Sequence, residues 1–463
     1  MTGISTAALR AAVPDAVRTI ARTLRDAGFR SWAVGGCVRD ELLAELFPER
    51  GAPTKNDWDL ATDARPEQVQ KLFRRVIPTG IQHGTVTVLL RGQGYEVTTL
   101  RGETTYSDGR RPDDVFFVSD LAADLERRDF TVNAIAYDVL ADELHDPFHG
   151  IDDLRRRLLR AVGDPARRFA EDGLRVLRGA RLAATLDMDL EEATRAAIAP
   201  SLDSYRQVSA ERIRDEWYKA FKARQPSRAF EIMRDEGLLA VTAPELLRLR
   251  DLVEAGLDVD ALTLSFRTMD LLPADPALRF AGLCHGLGAD HAPDGAPGAA
   301  PAEDAQGGVG AAAASRARAL AARLRLSNAD RDRVVTIVRH HRLPPCVDGG
   351  DPELRRWLRE VTPQRVEDVL AVQGARLRAA QQDAALERWA AFRDRVRAQL
   401  EEAPPLTARD LAVTGRDLMD VVGLPPGPVL GRTLDALVGV VLDDPSANTR
   451  ETLLEHARRL TSD

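Results

Sequence analysis

Trp32-Ala-Val-Gly35-Gly36-Cys37-Val-Arg39-Asp40, followed by Asn56-Asp57-Trp58-Asp59-Leu60, is the stretch around which the rest of the chain can be organised. Residues 31–34 form a short apolar run suited to a buried strand, Gly35-Gly36 a tight turn, and residues 38–46 an amphipathic helix. Strand, glycine turn and helix in that order gather backbone N–H groups at a helix N-terminus with no side chain in the way, which is a seat for phosphate. Asp57 follows Gly36 by 21 residues, and Asp59 lies two further on in a strand-like run. A side-chain period of two then predicts both carboxylates on one face. Two carboxylates so placed repel unless a cation lies between them, and hard oxygen donors favour Mg²⁺ shared with substrate phosphates. Taken singly, each motif is weak: a Gly-Gly pair is ordinarily a turn and an Asp-x-Asp a solvated loop. Their order gives them weight.

On the N-terminal side, residues 13–27 predict an amphipathic helix closed by Gly28. On the C-terminal side, residues 65–73 predict a helix with Pro66 in its first turn. Residues 84–90 and 95–100 alternate about a turn at 91–94 and predict a β-hairpin, with Glu96 a carboxylate inside an otherwise β-branched strand. Residues 101–126 contain Tyr106-Ser-Asp-Gly-Arg-Arg-Pro112, are rich in turn formers, and predict a mobile loop. Next come Arg127-Arg128-Asp129-Phe130-Thr131-Val-Asn133-Ala134 and His145-Asp146-Pro147-Phe148-His149-Gly150-Ile-Asp-Asp153-Leu154. Arg128 suits a phosphate ligand because a guanidinium grips oxygens in a fork. Asp129 and Asn133 suit either ribose hydroxyls or the bracing of a site.

From about residue 154 the strand patterns stop and helical ones take over. Phe169-Ala-Glu171-Asp172-Gly-Leu-Arg175-Val-Leu-Arg178-Gly-Ala-Arg181 sets Asp172, Arg175, Arg178 and Arg181 at steps of three, along one face of a helix. Such a stripe by itself more often marks a solvated face. Glu211-Arg-Ile-Arg-Asp-Glu216 opens a further helix.

In this order the motifs resemble the nucleotidyltransferase superfamily that includes DNA polymerase beta, in its tRNA nucleotidyltransferase and bacterial poly(A) polymerase branch. The resemblance spans nearly the whole chain and rests on five ordered motifs within residues 35–216. It implies an α+β fold: a nucleotidyltransferase head with a small mixed β-sheet (1–150), an all-helical neck carrying a nucleobase-selecting helix (151–228), an HD-like body (229–345) and a helical tail (346–463). It implies that Asp57 and Asp59 hold Mg²⁺ and that Glu96 is a third acidic residue on a neighbouring strand. The nucleotide-binding residues carried over are Gly35, Gly36, Arg39, Arg128, Asp129, Asn133, Asp172, Arg175, Arg178 and Arg181.

The reaction implied is attack of an RNA 3′-hydroxyl on the α-phosphate of CTP or ATP, with pyrophosphate leaving and two metal ions assisting. The partner implied is the 3′ end of tRNA, completed to CCA; A-only addition, CC-only addition and poly(A) synthesis are alternatives within the class. In such enzymes the loop before the Arg-Arg-Asp motif helps the switch to A, so a full-length loop favours a chain that can add A. The base-selecting element has its own logic. Cytosine and adenine each present an amino group beside a ring acceptor, whereas uracil and guanine present a carbonyl beside an N–H. Asp172 accepting and Arg175 donating would take the first pair and leave buried groups unpaired with the second.

Phe280-Ala-Gly-Leu-Cys284-His285-Gly286 and Ile337-Val338-Arg339-His340-His341 resemble an HD-type helical domain, but Gly286 stands where an Asp should follow the first His. With His340 and His341 adjacent on a helix and so roughly 100° apart, the region reads as a scaffold and not as a metal phosphohydrolase. Residues 288–314 are rich in Ala, Gly and Pro and predict a disordered insertion. The stretch from Pro404 onward, with Gly427-Pro-Val-Leu-Gly431, resembles the family's tail.

The totals agree. A chain of 463 residues with 44% hydrophobic content suits two to four domains. A net charge of −8 argues against a general nucleic-acid coat, yet residues 151–228 carry 17 Lys and Arg against 13 Asp and Glu, a local basic footprint for RNA. Cys37, Cys284 and Cys346 show no metal-type spacing and predict free, buried thiols. No run of 18 apolar residues and no signal-peptide pattern appears, so a cytoplasmic chain with no membrane contact is expected.

Overall fold

The computed structural model describes residues 5–51, 53, 57–81, 84–103, 115–118, 120–254, 256–291 and 308–460. They fall into two units, Met1–Thr242 and Ala243–Asp463.

In the first unit the described strands up to residue 145 follow one another as β1 Ser31–Val34, β2 Asp59–Thr62, β3 Val76–Gly80, β4 Thr85–Leu90, β5 Gln93–Thr99, β6 Arg101–Glu103, β7 Val115–Phe117, β8 Ala136–Asp138 and β9 Glu143–His145. Seven of them make one mixed sheet in the order β3-β4-β5-β2-β1-β8-β9. Only β2 and β5 run parallel; the other neighbours are antiparallel. The expected hairpin is β4–β5, with Leu90 opposite Gln93 about a two-residue turn. β1 is buried at all four positions, the polar Ser31 included, and Trp32, Val34, Ala61, Leu100, Leu125, Ala134, Ala136 and Val162 pack into one cluster beneath the sheet.

The helix Asp15–Asp26 meets the expectation for residues 13–27, and Pro14 separates it from a further short helix, Ala7–Ala12, because proline offers no N–H to a continuing helix. Residues 101–126 are more ordered at their ends than a mobile loop would be. Arg101–Glu103 pairs with Val115–Phe117, and Leu121–Glu126 is a helix capped by Asp120. The turn-rich core of that segment, residues 104–114, lies outside the described residues. Strands also do not stop at residue 154: Leu158–Leu159 pairs in parallel with Asp189–Leu190, a two-residue ladder that tapers the head into the helices after it.

The second unit is helical. Ala261–Asp270, Pro276–Cys284, Val309–Arg323, Asn328–Arg339 and Pro363–Ala379 pack together, and Pro428–Asp443 and Arg450–Leu460 close the chain. Two expectations for it need correction. The ends of the supposed insertion are ordered, since His285–His291 is a 3₁₀ turn and the helix Val309–Arg323 is alanine-rich; residues 292–307 lie outside the described ones. His340 and His341 are not on a helix: Asn328–Arg339 ends before them, His340 being its C-cap. Cys37, Cys284 and Cys346 are free and buried. No described helix is long and apolar enough to cross a membrane.

Candidate active site

Gly35 takes φ +80°, and the helix Gly36–Leu46 begins on the next residue. A Cβ on Gly35 would sit in the left-handed region and 3.1 Å from Nη1 of Arg128, so this turn is kept bare by a neighbour that must come close. Across from it, Asp59 opens β2 while Asp57 lies just before the strand and is exposed. Asp57 is therefore not in a strand as expected, although Trp58 between the two is buried and the alternation persists. Burial and the charge of Glu96 push the Asp59 carboxyl up to about 6, with Asp57 adding to the rise and Arg128 opposing it. Glu96 thus stands beside Asp59, but it is exposed. Among the described residues, no three such side chains gather closely enough to hold a metal ion by themselves.

Asp59 shares a cleft of about 600 Å³ with Gly35, Gly36, Arg39, Arg128, Asp129, Asn133, Asp172, Arg175, Arg178 and Arg181. Every proposed nucleotide-binding residue is there; Asp57 and Glu96 do not line it. The same cleft is lined by Arg101 and Lys219, which no motif contains, and by Arg127, which opens the Arg-Arg-Asp motif but was not among the expected nucleotide-binding residues.

Asp129 is buried and fully engaged. It accepts from Nε of Arg178 at 2.7 Å, from Nδ2 of Asn133 at 2.9 Å and from the Phe130 N–H at 2.9 Å. Burial would raise its carboxyl, yet Arg178 and Asn133 hold it well below the ordinary range. Asn133 Oδ1 in turn accepts from Nη1 of Arg39 at 2.6 Å. In this structure Asp129 and Asn133 brace the arginines. The histidine-rich motif is likewise a support: Asp146 accepts from the N–H groups of Gly150 and Ile151 and so starts the helix Gly150–Arg155.

The stripe at steps of three is not a solvated face. It begins at the junction of the helices Pro165–Glu171 and Leu174–Leu186. Arg175 is 8% exposed, and its guanidinium donates to the carbonyls of Arg168 and Arg127, each at 2.9 Å, and to Glu171 at 2.7 Å. Asp172 accepts from the Leu174 N–H at 3.0 Å and from Nη2 of Arg212 at 2.7 Å. Between them Gly173 presses on the neighbouring backbone, since a Cβ there would lie 2.2 Å from the Ser204 carbonyl oxygen. Arg181 pairs with the buried Glu216, which also accepts from Lys219 at 2.9 Å. Arg212, Glu216 and Lys219 all come from the helix Ala210–Ala220, anchored by Trp217 edge-on to Phe230 with ring centres 4.9 Å apart.

Comparison with known proteins agrees with this geometry. The family model "Poly A polymerase head domain" matches residues 31–160, "Probable RNA and SrmB- binding site of polymerase A" residues 187–249, and "tRNA nucleotidyltransferase domain 2 putative" residues 315–457. The CCA-adding enzyme of Limosilactobacillus reuteri is 30% identical over 98% of this chain and 98% of its own. The chain belongs to the CCA-adding enzyme family. The CCA-adding enzyme of Lactobacillus helveticus is 46% identical over 219 residues, 47% of this chain; the match spans about half, 53%, of that relative. Among solved structures, the Bacillus stearothermophilus CCA-adding enzyme in complex with CTP superposes with a TM-score of 0.71 at 29% identity, covering 96% of each chain. That match takes in residues of both units.

Proposed function

We propose that this chain adds C, C and A to the 3′ end of tRNA from CTP and ATP, without a nucleic-acid template and with release of pyrophosphate. The observation that carries this is one cleft in which Asp59 and a bare glycine turn face the Asp172–Arg175 pair, with arginines between. The relatives named as CCA-adding enzymes, and the CTP complex of one of them, support it.

The residues divide the work. Gly35 and Gly36 offer N–H groups and open space to a phosphate. Arg128 and Arg178 supply charge where pyrophosphate would depart. Asp172 and Arg175 present an acceptor and a donor to the base. Both are held by protein groups, Asp172 by Arg212 and the Leu174 N–H and Arg175 by Glu171 and two carbonyls, so a wrong base would meet partners with little freedom to turn to suit it.

The carboxylates fit a hard divalent cation. Asp59 is pushed up first by burial and then by the charges of Glu96 and Asp57, and a cation would relieve the part that is crowding of negative charge. Asp57 and Asp59 would hold Mg²⁺, completed by substrate phosphate oxygens as is usual for this ion. Bound there, it would lower the cost of charge on the attacking hydroxyl and on the leaving oxygens.

The division into head, neck, HD-like body and tail is kept as part of this proposal, as is cytoplasmic residence, which three unpaired buried cysteines suit. The test is primer extension on tRNA transcripts ending before CCA, after C and after CC, each with one nucleotide at a time. CTP should extend the first two and ATP only the third. Failure of CTP on both would sink CCA addition in favour of A-only activity, and continued growth with ATP alone would favour poly(A) synthesis.

A further inference from the structure

Behind the arginines of the cleft stands a carboxylate outside the motifs. Asp124 lies on the helix Leu121–Glu126 and is 1% exposed. Its Oδ1 accepts from Nε and Nη2 of Arg127 at 3.0 and 2.8 Å and from the Arg101 N–H at 3.2 Å. Its Oδ2 lies 3.5 Å from Nη2 of Arg128. Burial alone would push this carboxyl up, but Arg127 and Arg128 outweigh it and hold the group below its ordinary range. One buried anion therefore serves two adjacent guanidinia.

Its three partners all line the cleft. Arg128 is held from two sides: Asp124 lies behind, while Nη1 donates to the Asn133 carbonyl at 3.3 Å and comes up against the Gly35 turn. Without that counter-charge, Arg127 and Arg128 would repel each other, and each would lose one of the contacts that orient it. The tie to the Arg101 N–H also fixes β6, the stem from which residues 104–114 depart.

We propose that Asp124 is a positioning residue for the polyphosphate of the incoming nucleotide, orienting Arg127 and Arg128 toward the cleft and fixing the β6 stem beside them. This rests on the cleft being the nucleotide site. Because a phosphate chain is common to both substrates, Asp124 affects CTP and ATP alike, unlike the base-reading pair.

The experiment compares wild type with Asp124→Asn, which keeps the shape and removes the charge. Three quantities are read: binding of inorganic tripolyphosphate with Mg²⁺, KM and kcat for CTP and ATP on tRNA transcripts, and the urea midpoint. Loss of one oriented charge-assisted contact corresponds to roughly 10- to 100-fold weaker binding. Expected are a tripolyphosphate Kd and both KM values raised by about that factor, with kcat within about threefold of wild type. Binding and KM within twofold of wild type in a folded variant overturn the proposal, whatever the urea midpoint does, because Asp124 would then serve stability alone. So does a KM rise confined to one nucleotide. Should Asp124→Asn not fold, Asp124→Glu moves the charge by one methylene: raised KM for both nucleotides supports positioning and unchanged KM overturns it. Wild-type protein that binds tripolyphosphate but transfers no nucleotide would defeat the function proposed above, while the binding arm still decides the role of Asp124.

Discussion

Asp59 and Glu96 stand immediately before Leu60 and Val97, the residues paired between the parallel strands β2 and β5, and burial together with the charge of Glu96 raises the Asp59 carboxyl. Glu96 nonetheless faces solvent and Asp59 the cleft, so the two are not equal members of one set.

Asp59→Ala and Asp57→Ala are each expected to abolish nucleotide addition while leaving tRNA affinity near wild type, since these carboxylates would hold metal and not RNA. Glu96→Ala should cost less than either. Turnover of Asp59→Ala within roughly tenfold of wild type at saturating Mg²⁺, a barrier change of only about 1.4 kcal/mol, would remove Asp59 from the chemistry.

For base choice, Asp172→Asn is a cleaner probe than any change at Arg175, whose guanidinium also holds the carbonyls of Arg127 and Arg168. An amide can present a donor where the carboxylate offered only acceptors. UTP or GTP incorporation should therefore rise roughly 10- to 100-fold relative to CTP, the equivalent of about 1–3 kcal/mol. A double Asp172, Arg175 replacement that remains active with unchanged ratios among the four nucleotides would rule out amino-acid templating.

How much of this was legible beforehand follows from the range of each interaction. β1, the glycine turn and the β4–β5 hairpin are written in local patterns, and the steps of three from Arg175 to Arg181 are a helix period; Asp172, expected on the same helix, instead lies before it in extended backbone, because the helix Pro165–Glu171 ends there and the next begins at Leu174. What that stripe faces was not legible, because the sequence does not say that Arg212 reaches Asp172 from 40 residues away or Glu216 reaches Arg181 from 35. Family resemblance, not spacing, turned a bland solvated face into a site. Asp124 could have been found, since it lies three and four residues before Arg127 and Arg128, a helical contact distance that went unused. The expectation for His340 and His341 fails because the helix ends at Arg339, two residues short of His341.

The second unit should weaken in mild acid. His285 is fully buried, and burial together with the Arg376 charge pushes it down to about 4; Glu254 opposes the shift, and Arg342 adds to it. His341, its ring 5.4 Å away, is lowered as well. In the unfolded chain a histidine titrates near 6.5. Between these values the unfolded state binds a proton that the folded state refuses, so stability is whole above about pH 6.5 and drains as pH falls toward 4. For His285 this amounts to about 2 kcal/mol between pH 7 and pH 5. Urea unfolding at both pH values should show a smaller difference for His285→Asn than for wild type, and equal differences would mean that His285 does not carry the effect.

The same histidines decide whether the HD-like region is a second active site. Nδ1 of His285 donates to the Gly282 carbonyl and Nδ1 of His341 to the Val338 carbonyl, both at 2.7 Å, which leaves each Nε2 as a buried lone pair without a partner among the described residues. That is how metal-binding imidazoles are often oriented. The rest of the arrangement argues the other way. Glu254, the nearby carboxylate, is already paired with Arg342 at 3.0 Å and with Arg376, so cationic charge presses on the place a metal would occupy. Nor could a missing ligand be restored at Gly286, where a Cβ would lie 2.8 Å from Ser265 Oγ and 3.1 Å from the Ala261 carbonyl oxygen. The packing of the Ala261–Asp270 helix therefore requires glycine at the position an aspartate would need. The purified protein is expected to release no phosphate from 2′,3′-cyclic nucleotides or phosphomonoesters with Ni²⁺, Mn²⁺ or Mg²⁺. Metal-dependent hydrolysis that disappears in His285→Ala would show that two imidazoles suffice, and that Arg342 and Arg376 hold substrate phosphate there instead of excluding the metal.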